Sequence, residues 1–583
     1  MSAPESGHRA TEASQDEPTN FTFDHSQHRD SHYRRVPADV EKQDTPMSQS
    51  SASGISKEEE EEQAAQDLEN NKERQENLRP TSTHHSLHQT NTNVSIAETL
   101  SLPRECMFVA CICLAQFMTQ ASLGQTLAIL HIIGDAFGLS DPAELSWLIA
   151  GYSLTVGTFI LVAGRFGDVF GYKRMFMIGF AWFGLWSMIA GLAVYSNHVL
   201  FVFARVFTGI GPAICLPNGL AILGATYAPG PRKNMVFAMF GACAPGGSIV
   251  GAAFAGLFSL AWWPWTFWSF AIACFAIVGI GSLVIPDPPR KITQKWNTLR
   301  ELAIELDLFG GLIGIIGLVL FNFAWNQAPI VGWQKAYVYV TLILGVLFIL
   351  AFFYIELRVA SAPLIPFSAL NSDVSFVLIC IACGWGCFGI WIYYTWQFLE
   401  LLRYDTPLLA TAQFAPVAIS GALASVTTGF ILAKVRPAVV MIIAMTCFTI
   451  GVILIGTAPV GQTYWAQTFV CIVVIPWGMD MSFPAATVIL SNAVKKEHQG
   501  IGASLVNTLV NYSISIALGF AGTVEVHVNN GGETDSDELK GFRGAWYMAM
   551  GLAGLGLATS ILFLFKGLWT DRQMARKRVA AAA

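Results

Sequence analysis

The chain has 583 residues, of which 53% are hydrophobic and only 13% charged, and its net charge is −6. That balance excludes an ordinary soluble domain, which carries about a quarter charged residues and amphipathic elements in place of segments apolar on every face. No G-x-x-x-x-G-K-[ST] phosphate loop occurs, which disfavours an ATP-driven pump, and neither a cofactor nor a nucleic-acid partner is expected.

Residues 1–103 form the first region. They are rich in Ser, Thr, Gln, Asn and His, with an acidic run from Glu58 to Glu62. Such a composition cannot bury a core, so a disordered cytoplasmic tail without a secretory signal is expected. Its Ser and Thr are candidates for regulatory phosphorylation, with a plain solvated leader as the alternative. His84, His85 and His88 read as polar-tract composition, not as a metal site.

Beyond the tail, apolar stretches recur about fourteen times. A bilayer core about 30 Å thick needs roughly 20 apolar residues per helix. Hydropathy places spans at 106–128, 145–163, 175–194, 199–223, 235–257, 265–285, 307–326, 336–356, 374–396, 408–432, 438–457, 464–490, 501–524 and 545–565. The expected fold class is therefore an all-α polytopic membrane protein. With the amino end cytoplasmic, about nineteen Lys and Arg fall on inward segments, including Arg165, Lys173, Arg174, Arg232, Lys233, Arg290, Lys291, Lys295, Lys495 and Lys496. Outward loops hold only Lys335, Arg403, Lys540 and Arg543. This positive-inside bias, with an even span count, predicts two cytoplasmic termini.

Near the outer end of span 1 lie His131 and Asp135. Between spans 2 and 3 a short loop is expected from Gly164-Arg165-Phe166-Gly167-Asp168-Val169-Phe170-Gly171-Tyr172-Lys173-Arg174. There Gly164 and Gly167 permit close backbones, Asp168 can meet a helix amino end or a basic group, and Gly171 suits a tight turn. Span 4 contains Arg205 followed by Gly209 and Gly211. A guanidinium in hydrocarbon costs at least a few kcal/mol unless it faces protein or water, so Arg205 is expected to face the central cavity. In span 5, Gly241, Pro245, Gly246, Gly247 and Gly251 combine small packing surfaces with a proline that frees one backbone acceptor.

Asp307 and Glu356, flanking spans 7 and 8, read as interfacial charges. Asn322, Asn326, Asn507 and Asn511 are candidates for a substrate cavity or for glue between helices, and Trp391 and Trp477 for an aromatic cavity wall. Nearly all cysteines fall in spans; Cys380, Cys383 and Cys387 share a helix face and read as packing residues, not as metal ligands. Asp480, well inside span 12, is the most costly residue of the body. Burial there favours the neutral carboxyl in one conformation, the sensitivity that a proton carrier needs.

The segment from Gly211 to Leu223 aligns with Gly478 to Leu490, matching Gly, Pro, Ile and Leu, so spans 4 and 12 look equivalent. The Gly429 to Arg436 counterpart of the Asp168 loop has Ala433 in place of the acid.

Gly164, Asp168 and Gly171 match the G-x-x-x-D-x-x-G-x-[RK] signature, and the chain resembles the major facilitator superfamily. Val169 and Tyr172 stand at two usually basic positions. Arg205, Gly209 and Gly211 are similar to that superfamily's R-x-x-x-G-x-G motif, associated with proton coupling. The span 5 pattern resembles its antiporter motif, with Ala244 where a glycine is usual. Fourteen spans resemble the drug:proton antiporters. Leu123 to Asp135 and Phe321 to Pro329 look like the fungal branch of aminotriazole-resistance and borate exporters.

The resemblance implies two six-helix halves, 104–285 and 357–566, with a linker at 286–306, two additional helices at 307–356 and a basic tail at 567–583. It also implies a conformational latch at Gly164, Asp168, Gly171, Lys173 and Arg174. Many relatives carry an acid where Gly124 stands, so proton coupling is expected to use Asp480, Arg205 or His131. The expected protein is a monomeric, proton-coupled exporter of a small molecule in the plasma membrane, or alternatively the vacuolar membrane. The alternatives are a facilitator or uptake carrier for borate or ammonium, and a transporter-like nutrient sensor. No nucleophile with a base, nor a metal cluster, suggests an enzyme.

Overall fold

Lipid offers backbone N–H and C=O groups no partner, and helices satisfy them locally. The computed structural model describes residues 100–139, 142–227, 231–286, 298–361, 363–365, 372–432, 434–493 and 499–582. The histidines and acidic run of the tail, Arg290, Lys291, Lys295, Ala433, Lys495 and Lys496 lie outside the described residues.

Fourteen helices are long and apolar enough to cross a membrane, and no strand occurs among the described residues. Spans 1 to 7 are Leu102–Leu127, Glu144–Phe170, Tyr172–Tyr195, His198–Thr226, Met235–Ser259, Trp265–Val284 and Leu308–Val331. Spans 8 to 14 are Ala336–Arg358, Ser372–Leu402, Pro407–Leu432, Pro437–Gly456, Gln467–Leu490, Ser504–Val528 and Asp535–Ala580. The chain is an integral, multi-pass membrane protein. Hydropathy located every span but cut several short, spans 2, 7, 9, 13 and 14 among them. Span 9 continues to Leu402, and span 14 begins at Asp535 and runs on through the basic tail, because helical hydrogen bonding does not stop where charges lower the apolar average.

An even number of crossings puts both ends of the described body on one face, here called the motif face because it carries Gly171. Two six-helix halves meet along two seams. Span 2 packs on span 13 in one, span 5 on span 10 in the other. Span 7 lies against both spans 2 and 13, and span 8 packs chiefly on span 7. Span 8 turns Tyr339, Ile343, Leu347, Leu350 and Tyr354 outward, where lipid is the natural solvent for them.

The first seam is close and polar. A Cβ on Gly157 would lie 2.7 Å from the Tyr512 backbone nitrogen, so spans 2 and 13 touch main chain to main chain. Ser515 Oγ donates to the Ala150 carbonyl at 2.8 Å and lies 3.0 Å from Asn322 Oδ1, while Asn326 Nδ2 donates to the Ser515 carbonyl at 3.2 Å. Tyr512 donates to the Leu318 carbonyl at 3.0 Å. One serine thus ties the first half, the additional pair and the second half together.

Gly157→Val is expected to destabilise the purified protein by about 1 to 3 kcal/mol, the usual cost of overpacking. Gly241→Ala, whose added methyl would meet open space, should leave the melting temperature unchanged. Equal thermal unfolding of both variants would refute the backbone contact at Gly157.

Candidate functional site

The segment from Gly164 is not a loop. Span 2 stays helical through Phe170, and Gly171 alone, at φ +97°, turns the chain into span 3. A side chain is strained at that φ, so glycine makes the one-residue connection possible. Tyr172 then donates its hydroxyl to Asp168 Oδ1 at 2.5 Å, a phenol replacing the basic partner usual in the signature. Arg165 Nη2 donates to the Pro363 carbonyl at 3.1 Å, reaching the segment before span 9. A Cβ on Gly164 would lie 3.2 Å from Ser504 Oγ of span 13, and Gly167 abuts the Asn218 side chain. A crevice of about 60 Å³ lies among Gly164, Asp168, Tyr172, Pro217, Leu364 and Ser504. Lys173 is half-buried and Arg174 exposed.

Asp307 and Glu356 are not the exposed interfacial charges expected. Both are buried at the motif face, and the two carboxyls stand close enough to act on each other. Asp307, at φ +45°, caps span 7 through the Gly310 N–H at 3.3 Å, and Glu356 accepts from the Ile365 N–H at 3.4 Å. Span 7, span 8 and the segment touched by Arg165 are joined there. Their sequence neighbours could not reveal this, since the partner segment follows 50 residues or so after Asp307.

Arg205 is fully buried inside the first half and does not line an open cavity. Nη1 donates to Ser122 Oγ at 3.0 Å, Nη2 to the Ser122 carbonyl at 3.2 Å and Nε to the Leu148 carbonyl at 3.4 Å. Its guanidinium also lies 4.8 Å from the Tyr152 ring centre, and Tyr152 donates to the Thr119 carbonyl at 2.8 Å. Among the described residues no carboxylate forms an ion pair with it. Neutral oxygens and a ring face carry the whole compensation, binding spans 1, 2 and 4 together. Gly209 lies against Tyr152 and Thr155, and Gly211 against Phe183, so these small residues set the approach of span 4 to spans 2 and 3.

The second seam holds Asp480. Cβ atoms placed on Gly421 of span 10 would meet both Asp480 Oδ2, at 2.5 Å, and Pro245 of span 5, at 2.8 Å. Asp480 therefore stands beside the contact between the halves, about midway along span 12. Ser425 of span 10 stands beside it, and Oδ2 is buried without a partner among the described residues. Span 5 is continuous through Pro245. Gly247 and Gly251 admit the Phe117 and Ala121 backbones of span 1, whereas Gly241 and Gly246 face open space.

Asn322 and Asn326 are fully buried in the first seam. Trp391 is likewise enclosed, donating to Cys471 Sγ at 3.1 Å and packing on Phe388 and Phe414. Trp477 and Asn511 are half-buried, and Asn511 Nδ2 donates to the carbonyl of buried Asn507 at 3.0 Å.

Sequence reasoning missed the polar groups near the opposite face. Glu525 of span 13 is buried and accepts from Tyr394 at 2.7 Å. Glu400 lies 3.9 Å from His131, across the halves, with Gln397 adjoining His131. His131 stands on a separate short helix, Leu130–Phe137, after span 1. Spans 9 and 13 that end at 396 and 524 by hydropathy leave both glutamates just outside the membrane body; an amide and a carboxylate three residues apart, Gln397 and Glu400, are the available signal.

A family model described as Major Facilitator Superfamily matches residues 112–519. A low affinity ammonium transporter of Saccharomyces cerevisiae is 56% identical, covering 82% of this chain and 92% of its own. The efflux pump terJ of Aspergillus terreus is 48% identical over 79% and 88%, and the aminotriazole resistance protein of Saccharomyces cerevisiae 39% over 82% and 86%. Among solved structures, the POT family transporter PepTSo shares the fold at a TM-score of 0.57 and 15% identity, covering 80% of this chain and 98% of that one.

Tyr172→Phe removes one charge-assisted bond at a partly exposed site, a loss of about 1 kcal/mol. A cysteine placed at Ser504 should then react faster with a thiol reagent, read at that peptide by mass spectrometry, and Tyr172→Arg should restore protection. Unchanged reactivity in Tyr172→Phe would detach Tyr172 from the closure of this seam.

Proposed function

The chain belongs to the major facilitator superfamily, and on that premise we propose that it exports a small molecule by alternating access in exchange for protons. The observation that carries this reading is Asp480, a mid-span carboxyl with an unpartnered oxygen at the contact of span 5, span 10 and span 12. When the halves separate on one side, water reaches that oxygen and the proton leaves. When they close, the carboxyl is enclosed by Pro245 and Gly421 and is stable only as the neutral acid. Its charge state is thereby tied to which face is open.

Arg205 has a supporting role. Its fork holds spans 1, 2 and 4 as one rigid body, so rocking is confined to the seams. The motif at Asp168 and Tyr172 latches the motif face, and breaking it lets that face open. We place this face in the cytoplasm, with both termini there and the protein in the plasma membrane, because the inward basic residues then obey the positive-inside bias. The division at 104–285, 307–356 and 357–566 and a monomeric state complete the reading. A proton entering the cell supplies about 2.3 kcal/mol per 100 mV and about 1.4 kcal/mol per pH unit, enough for an outward gradient of roughly a thousandfold.

A second reading, facilitated movement of a small solute such as ammonium or borate, is favoured by the 56% identity to a protein named as an ammonium transporter. Transport that persists after proton gradients are collapsed would select it.

In proteoliposomes, Asp480→Asn should abolish gradient-driven efflux while the purified protein keeps its elution profile. Full efflux in that variant would remove Asp480 from the mechanism. Arg205→Lys should lower the transport rate at least tenfold and the melting temperature with it, since an ammonium cannot span Ser122 and Leu148 together; normal stability and rate would reduce Arg205 to a packing residue.

A further inference from the structure

At the face opposite the motif, polar atoms converge across the two halves without meeting. His131 Nε2 and Glu400 Oε2 are 3.9 Å apart, too far for a hydrogen bond. His131 Nε2, Glu400 Oε1 and both amide atoms of Gln397 are buried and, among the described residues, have no hydrogen-bond partner of good geometry. The Gln397 residue is 1% exposed and the Glu400 side chain 8%. Leaving a single such group unmade costs about 1 to 3 kcal/mol. Four together are retained at a cost that packing alone does not explain.

The backbone is adapted to the same place. Span 9 ends in a π-helical turn, Phe398–Leu402, closed by the Arg403 N–H on the Phe398 carbonyl at 3.1 Å. The extra residue in such a turn re-aims the side chain it carries, and these turns are frequent at functional sites. Glu400 sits at its centre. Arg403, three residues on from Glu400, is directed elsewhere: its guanidinium stacks 4.7 Å from the Phe398 ring centre and donates to the Pro459 carbonyl at 3.3 Å. Asp135, which acts electrostatically on His131, and Asp405, which acts on Glu400, add negative charge at the flanks.

We infer that His131, Gln397 and Glu400 form a binding site for a primary ammonium group, either the ammonium ion or an alkylammonium, at the mouth opposite the motif. Three acceptors are available, the Glu400 carboxylate, the Gln397 carbonyl and the imidazole Nε2 when the proton is on Nδ1, and an R–NH3+ group presents three N–H donors. An anion would face the Glu400 carboxylate, and a quaternary ammonium would leave every acceptor unpaired. Because the site draws on both halves, its occupant bridges span 9 and the helix after span 1, holding that face closed. The inference rests on the transporter reading, yet binding is measurable without flux.

The test uses full-length protein in nanodiscs, with thermal unfolding followed against methylammonium chloride, tetramethylammonium chloride and sodium chloride at equal ionic strength. Methylammonium alone should raise the melting temperature. Glu400→Gln should weaken that response at least tenfold in concentration, as loss of a charge-assisted bond does. Gln397→Leu should weaken it too, and serves if Glu400→Gln fails to fold. An equal response to tetramethylammonium, an undiminished response in these variants, or none to methylammonium in the wild type would overturn the site. If methylammonium binds but wild-type vesicles move no solute, the transporter reading falls and the site stands.

Discussion

Hydrocarbon cannot hydrogen-bond, and that constraint sorts every polar side chain of the membrane body into the space between helices. Arg205 is held by carbonyls and a hydroxyl of spans 1 and 2, and the Asn322, Asn326 and Ser515 network by spans 2, 7 and 13. In water each of these bonds would be nearly neutral in worth. In lipid the alternative is an unmade bond, so the polar groups specify which helices must be neighbours.

The polar groups then divide by whether their bonding is complete. Arg205 is extensively bonded within the first half and Ser515 across the first seam, and both act as ties. Asp480, Glu400 and Gln397 retain unpartnered buried atoms, and all three stand where one half meets the other. A group bonded within a half has the same surroundings whichever face is open. One placed on a seam changes its surroundings whenever the seam opens, so its proton or ligand is coupled to the motion. The additional helices belong to this scheme as well, since span 7 bonds to span 13 while touching span 2, and its motif-face end brings Asp307 beside Glu356 of span 8.

The latch at the motif face shows how a departure from a signature can preserve its physics. Val169 and Tyr172 stand at usually basic positions, so neither offers Asp168 a charged partner. Yet Tyr172, directly after the turn at Gly171, comes back against Asp168 and supplies an O–H donor instead of a charge. The interaction needs a donor at that place, and a phenol meets the need over a shorter reach.

The sequence alone determined the fourteen crossings, the class of fold and the family, because apolar length and the Gly164, Asp168 and Gly171 spacing are local properties that the bilayer reads directly. It marked Asp480 and Arg205 for a related reason: a charge among apolar neighbours is conspicuous without knowing what it touches. The tertiary structure alone decided that Arg205 is enclosed within one half, that Asn322 binds a seam, that Asp307 is buried, and that Glu400 approaches His131. Each of those facts depends on residues tens to hundreds of positions apart, brought together by helix packing, and hydropathy carries no record of which helix faces which.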